Sequence, residues 1–132
     1  MQLLDEQRNL LRRLVPPADI PEDRLLRIWI HAASVGESII AFAAARELRR
    51  HKPGCLVFVS TNTPTGLARI MGLAGDSGKG VIERAFLAPF DHPVVVKAFL
   101  DRIRPTAFIL VETEIWPSLL TALKRRGSPL LS

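Results

Sequence analysis

The chain has 132 residues, 48% of them hydrophobic and 23% charged, which is ordinary for one globular domain long enough to bury a core. Eighteen Lys and Arg against thirteen Asp and Glu give a net charge of +5, suited to an anionic partner such as a phosphate, a nucleotide or a lipid head group. A lone cysteine excludes a disulfide framework, no apolar run reaches about 18 residues, no signal peptide is visible, and scattered basic residues with few aromatics argue against a nucleic-acid surface.

Residues 1–15 place Leu3, Leu4, Leu10, Leu11, Leu14 and Val15 along one helical stripe, interrupted by Arg8, Arg12 and Arg13. This predicts an amphipathic, basic helix, either docked on the domain or lying on an anionic membrane surface. Pro16-Pro17 ends it, and residues 18–24 read as a polar linker, so that 1–24 precede a domain spanning 25–132.

From Leu25 strand and helix alternate. Strands are predicted over Leu25–His31, Cys55–Thr61, Val81–Leu87 and Ala107–Val111, with one more starting at Pro129–Leu131. The runs Glu37–His51, Thr65–Leu73, Val94–Ile103 and Pro117–Arg126 read as helices, and Gly75–Gly80 as a loop. In the first of these helices Ile39, Ile40, Ala43, Ala44 and Leu48 are expected on the buried side; the hydroxyls of Thr63-Pro64-Thr65 should cap the second. The pattern predicts an α/β, Rossmann-like three-layer domain with a mostly parallel sheet and right-handed crossovers.

In such a sheet the loops at the carboxyl ends of the strands share one edge, where ligands bind. Here they are Ala32–Gly36, Asn62–Thr65, Pro89–Pro93 and Glu112–Trp116, and they hold most of the polar residues that look out of place. Glu37, Glu112 and Glu114 are expected to converge there with Ser34, Thr61, Thr63 and Asp91. Glu37 reads either as a general base acting on a hydroxyl or as a carboxylate that favours a helix N-terminus by charge. Glu112 and Glu114 bracket Thr113 and so share a face; either is a candidate for acid–base work or for capping the helix at Pro117.

Other chemistries fail on spacing. Leu73 stands where a phosphate loop requires its first glycine, and Gly80 where it requires Ser or Thr. His31, His51 and His92 lie far apart with no ligand pair beside them, so no metal site is expected. Ala32 replaces the glycine that a serine-hydrolase elbow needs two residues before Ser34. His31 reads as a core histidine and Cys55 as a buried small hydrophobe.

Trp29-Ile30-His31-Ala32-Ala33-Ser34-Val35-Gly36-Glu37, Thr61-Asn62-Thr63-Pro64-Thr65-Gly66, Pro89-Phe90-Asp91 and Glu112-Thr113-Glu114-Ile115-Trp116-Pro117 occur in that order at successive strand ends. Together they resemble the N-terminal domain of the 3-deoxy-D-manno-octulosonic acid (Kdo) transferases, over residues 25–132. The resemblance implies the N-terminal half of a GT-B glycosyltransferase, an inverting enzyme that uses no metal or other cofactor. It would move Kdo from the donor CMP-Kdo to a hydroxyl of the phosphorylated glucosamine disaccharide, the lipid A precursor, in lipopolysaccharide biosynthesis. The implied place is the cytoplasmic face of the Gram-negative inner membrane, held peripherally at the membrane surface. Carried onto this sequence, Glu37 is the catalytic base and Glu114 orients the acceptor or the base. Ser34, Gly36, Thr61, Thr63 and Glu112 line the acceptor cleft, and Arg46, Arg49 and Arg50 are candidates to meet the acceptor's phosphates.

The sequence departs from the family in three places. An amphipathic Leu/Arg helix stands where an apolar membrane anchor is usual, Ser118 replaces a common Asn, and the sequence stops at Ser132 without the domain expected to hold most of the donor. The isolated chain is therefore expected to be inactive by itself. The competing reading is a non-catalytic Rossmann-like binding or interaction module.

Overall fold

A computed structural model of the chain describes residues 2–17, 20, 26–76, 80–111 and 117–131. The elements are α1 (Gln2–Leu14), β1 (Arg27–Ala32), α2 (Val35–His51), β2 (Leu56–Thr61), α3 (Pro64–Asp76), β3 (Arg84–Leu87), α4 (Pro93–Ile103), β4 (Ala107–Leu110), α5 (Pro117–Arg126) and β5 (Leu130–Leu131). The strands form one sheet in the order β3-β2-β1-β4-β5, and every pairing is parallel. β1 and β2 are buried at every position, as near-continuous apolar strands covered on both faces must be.

Alternation along β1 sorts the core into two layers. Ile28, Ile30 and Ala32 share one cluster with Val57 and Val59 of β2, Ala41 and Ala45 of α2, and Ile70 of α3. Trp29 points the other way, with Phe58, Phe86 and Phe108, against Val96, Phe99 and Leu100 of α4 and Leu119 and Leu123 of α5. Trp29 meets Phe108 edge-on at a ring separation of 5.1 Å. The expected three layers are present, with α2 and α3 over one face and α4 and α5 over the other.

Several elements depart from the expectation. Strand pairing on β3 starts at Arg84 rather than Val81: Gly80 turns the chain with φ +87, and Glu83 donates its backbone N–H to Val57 before the ladder begins. Helix α3 runs on to Asp76, past the expected end at Leu73. In α2 the buried side is Ser38, Ala41, Phe42 and Ala45, whereas Ile39 and Ile40 are 48% and 58% exposed. Small residues face the sheet because they let the helix approach it closely, and the two isoleucines are left outward. Helix α1 is held by Arg13, whose Nε donates to the Ala88 carbonyl at 2.8 Å and whose guanidinium lies 4.4 Å from the Phe90 ring centre; Leu10, Leu11 and Val15 stay exposed. Most of the linker at 18–24 lies outside the described residues, but Ile20 is buried in the aromatic layer.

Candidate active site

The chain winds from β1 to β2 to β3 on one side, then crosses to β4 and β5 on the other. β1 and β4 are therefore the neighbours whose following loops diverge, the switch point at which such sheets open a crevice. The loop after β1 is very short: Ala32 ends the strand and Ser34 is already the N-cap of α2, in extended conformation at φ −138 and ψ 178. Ser34 makes no side-chain cap. Its carbonyl instead accepts from the Ser38 backbone N–H at 3.0 Å and the Ser38 hydroxyl at 2.9 Å, which locks the first turn.

That turn carries Glu37. The side chain is half-buried, and its Oε2 atom is buried without a hydrogen-bond partner. Ser34 and Gly36 are exposed on the lip beside it. A carboxylate oxygen shielded from water yet free of protein donors is available to a hydroxyl brought in by a ligand.

The β2–α3 turn supplies hydroxyls on the same sheet edge. Thr63 caps α3, its Oγ1 accepting from the Gly66 N–H at 3.0 Å, as the Thr-Pro-Thr pattern predicts. Thr61 is wholly buried and its Oγ1 has no hydrogen-bond partner, so it underlies the edge instead of lining an open cleft. A Cβ added to Gly66 would stand 2.5 Å from Thr61 Oγ1, 3.1 Å from Thr63 Oγ1 and 3.4 Å from Ser38 Oγ. The sequence assigns no site role to Ser38 or to Gly66, the last residue of the Thr61–Gly66 motif, because groups that meet only in space leave no spacing to read.

On the opposite face of β1, His31 is a core residue as expected. Its Nδ1 lies 2.9 Å from Ser60 Oγ, which also accepts from Trp29 Nε1 at 2.8 Å.

Two expectations are corrected. Asp91 is not a free carboxylate at the edge: its oxygens accept from the Ser118 and Leu119 backbone N–H groups at 3.2 and 3.0 Å, capping α5. Arg46, Arg49 and Arg50 do not approach the site, since α2 begins there and they lie about 14–20 Å along it at a rise of about 1.5 Å per residue. Arg49 donates to the Cys55 carbonyl, Arg50 pairs with Glu47, and Arg46 lies over the Phe42 ring. Burial pushes the Cys55 thiol up, which suits an inert core residue.

Glu112 and Glu114, with the rest of the Glu112–Trp116 motif, lie outside the described residues. Among the described residues no group of three or more His, Cys, Asp and Glu side chains is placed to hold a metal ion. A cavity of about 580 Å³ lies between α4 and α5, lined by Pro93, Val94, Lys97, Ala122 and Arg125 among others, over the sheet face opposite α2. No helix among the described residues is long and apolar enough to cross a membrane.

Comparison with known proteins converges on one family. Residues 5–132 match the family described as 3-deoxy-D-manno-octulosonic-acid transferase (kdotransferase). The 3-deoxy-D-manno-octulosonic acid transferase of Haemophilus influenzae is 38% identical over 102 residues, covering 77% of this chain and 23% of that protein. The transferase of that name from Bordetella pertussis is 36% identical over 104 residues, 78% of this chain and 24% of its own length. A probable mitochondrial 3-deoxy-D-manno-octulosonic acid transferase of Arabidopsis thaliana is 32% identical over 95 residues, 72% of this chain and 20% of its own length. The chain thus spans about a quarter of the length of these curated relatives. With an α/β sheet of the expected form and a family match that covers nearly all its residues, the chain belongs to the 3-deoxy-D-manno-octulosonic-acid transferase family.

Proposed function

We propose that this chain forms the acceptor-binding half of an inverting glycosyltransferase that moves Kdo from CMP-Kdo to the lipid A disaccharide precursor, with Glu37 as general base. The observation that carries the reading is Glu37 in the first turn of α2 at the switch point, with a buried carboxylate oxygen and no protein partner for it. The Glu37 carboxylate takes the proton of an acceptor hydroxyl as that oxygen attacks the anomeric carbon of the donor. The bond from that carbon to the CMP phosphate oxygen breaks, and CMP leaves with the electron pair. One displacement needs one base and inverts the anomeric centre.

Ser34, Gly36 and Thr63 line the acceptor cleft on the sheet edge, and Thr61 supports it from beneath. Glu114 orients the acceptor or the base and Glu112 adds to the lining, roles that rest on their motif alone. Neither a metal nor another cofactor enters this scheme. Val35, Ile39 and Ile40 form an exposed apolar shoulder beside Glu37, which fits an acylated acceptor and a peripheral place on the cytoplasmic face of the inner membrane.

The test is a chimaera in which this chain replaces the matching segment of the Haemophilus influenzae transferase, assayed for CMP release with CMP-Kdo and the disaccharide. Glu37→Gln should lower kcat by roughly 10²–10⁴-fold while leaving the fold intact. A Glu37→Gln chimaera as fast as its parent overturns the assignment of the base. An acceptor that no folded chimaera binds favours the non-catalytic module.

A further inference from the structure

We infer that Gly66 is a positioning residue for Glu37: its missing side chain lets α3 close on Thr61 and Ser38, and that closure sets where the first turn of α2 stands. The reading of Glu37 as the base is what makes its position matter, so this inference rests on that proposal for its meaning. The geometry itself does not depend on it.

Gly66 sits in the first turn of α3, where its N–H is bound to Thr63 Oγ1 at 3.0 Å, so it cannot back away without breaking the cap. On its open side stand three hydroxyls. The place a Cβ would take is 2.5 Å from Thr61 Oγ1, closer than the 3.0 Å below which real Cβ atoms essentially never come. That oxygen belongs to a fully buried strand residue whose backbone is held on both sides, in register with Ala32 of β1 and Leu87 of β3. The second neighbour, Thr63 Oγ1 at 3.1 Å, is the cap itself, and the third is Ser38 Oγ at 3.4 Å. Ser38 is fully buried, adjoins Glu37 in the chain, and bonds through both its hydroxyl and its N–H to the Ser34 carbonyl. A Cβ at 66 clears Thr61 Oγ1 only if α3 moves off the sheet by about half an ångström, and Ser38 Oγ, at van der Waals distance from that position, passes the movement to the Ser34–Ser38 turn. Helices α2 and α3 pack side by side, so the displacement has a direct path.

The glycine is thus required by close approach, not by backbone conformation: its φ lies outside the left-handed region, unlike those of Gly80 and Gly127. Thr61 Oγ1 has no hydrogen bond to lose, so deleting it creates space without orphaning a partner. That asymmetry supplies the experiment.

Amide spectra of the isotope-labelled chain are recorded for wild type, Gly66→Ala, Thr61→Ala and the double variant. Gly66→Ala should shift the amides of residues 34–38 well beyond those of α4, which lies on the other sheet face. The double variant should bring residues 34–38 back toward their wild-type positions, because removing Oγ1 frees the space that the new methyl needs. General destabilisation would not be relieved by a second large-to-small change. A folded Gly66→Ala chain with residues 34–38 unmoved overturns the inference, as does a double variant no closer to wild type than the single one. If Gly66→Ala does not fold, Thr61→Ala alone decides: emptying the space against Gly66 must shift residues 34–38, and their staying put overturns it. Because every arm reads position in the chain itself, these outcomes are independent of whether Glu37→Gln abolishes transfer.

Discussion

Ser60 joins two buried ring nitrogens and is the residue on which the aromatic side of β1 depends. Trp29 Nε1 only donates, so the serine oxygen accepts from it, and the same hydroxyl is hydrogen-bonded to His31 Nδ1. All three side chains are fully buried. Ser60→Ala removes both bonds and strands the buried indole N–H, at a cost of about 1–3 kcal/mol. Urea unfolding should show a loss of about 1–3 kcal/mol; no measurable loss would mean that the indole finds another partner. This relation is only half legible in the sequence, where His31 reads as a core histidine but nothing links it to Ser60. Glu37 is legible because small residues and a glycine at a strand end announce an opening. Gly66 and Ser38 are not, since their meeting is set by the packing of α2 on α3 and not by any local pattern.

At the scale of elements, runs of β-branched and apolar residues mark the strands to within a few residues, because a strand covered on both faces has no polar alternation to confuse it. Helix orientation is harder to read. Ile39 and Ile40 look like core residues, yet Ser38, Ala41 and Ala45 win the buried face because a close helix–sheet contact requires small side chains. The role of Asp91 is hidden for a different reason: it caps a helix 27 residues further on, which no short motif foretells. Helices α4 and α5 are tied on their outer side by Asp101, which pairs with Lys97 at 2.7 Å and with Arg126. Hydrogen bonds from Lys97 and then Arg126 hold its carboxyl below the ordinary 3.8. The folded value lies below the unfolded one, so the stabilisation is present above about pH 4 and is lost as pH falls through the folded value. The pair is largely exposed, so the effect should stay under about 1 kcal/mol. Asp101→Asn should remove it, so that variant and parent converge in stability at acid pH and differ at neutral pH; an equal gap at both would refute the clamp.

For the molecule as a whole, the apolar shoulder on α2 should be the part that meets a membrane. Ile39→Ser with Ile40→Ser exchanges two half-exposed side chains whose further burial is worth about 1 kcal/mol each, so vesicle affinity at high salt should fall roughly thirtyfold. Sedimentation with phospholipid vesicles checks this, and an unchanged affinity would remove α2 from the contact. The same helices give the protein a polarity along its strands. α2, α4 and α5 all start at the Glu37 edge and carry cations in their last turns: Arg49 and Arg50, then Arg102, then Lys124, Arg125 and Arg126. Glu47 and Asp101 offset Arg50 and Arg126 there, yet basic side chains remain in excess at that far edge, and on the proposed membrane location an anionic bilayer would attract it over a Debye length of about 8–10 Å. On that proposal, long-range electrostatics alone would turn the Glu37 edge away from the membrane. The same proposal then assigns the facing to short-range apolar contact, and landing becomes a two-step search: capture by charge in any attitude, then rotation until the exposed Ile39 and Ile40 meet the acyl layer.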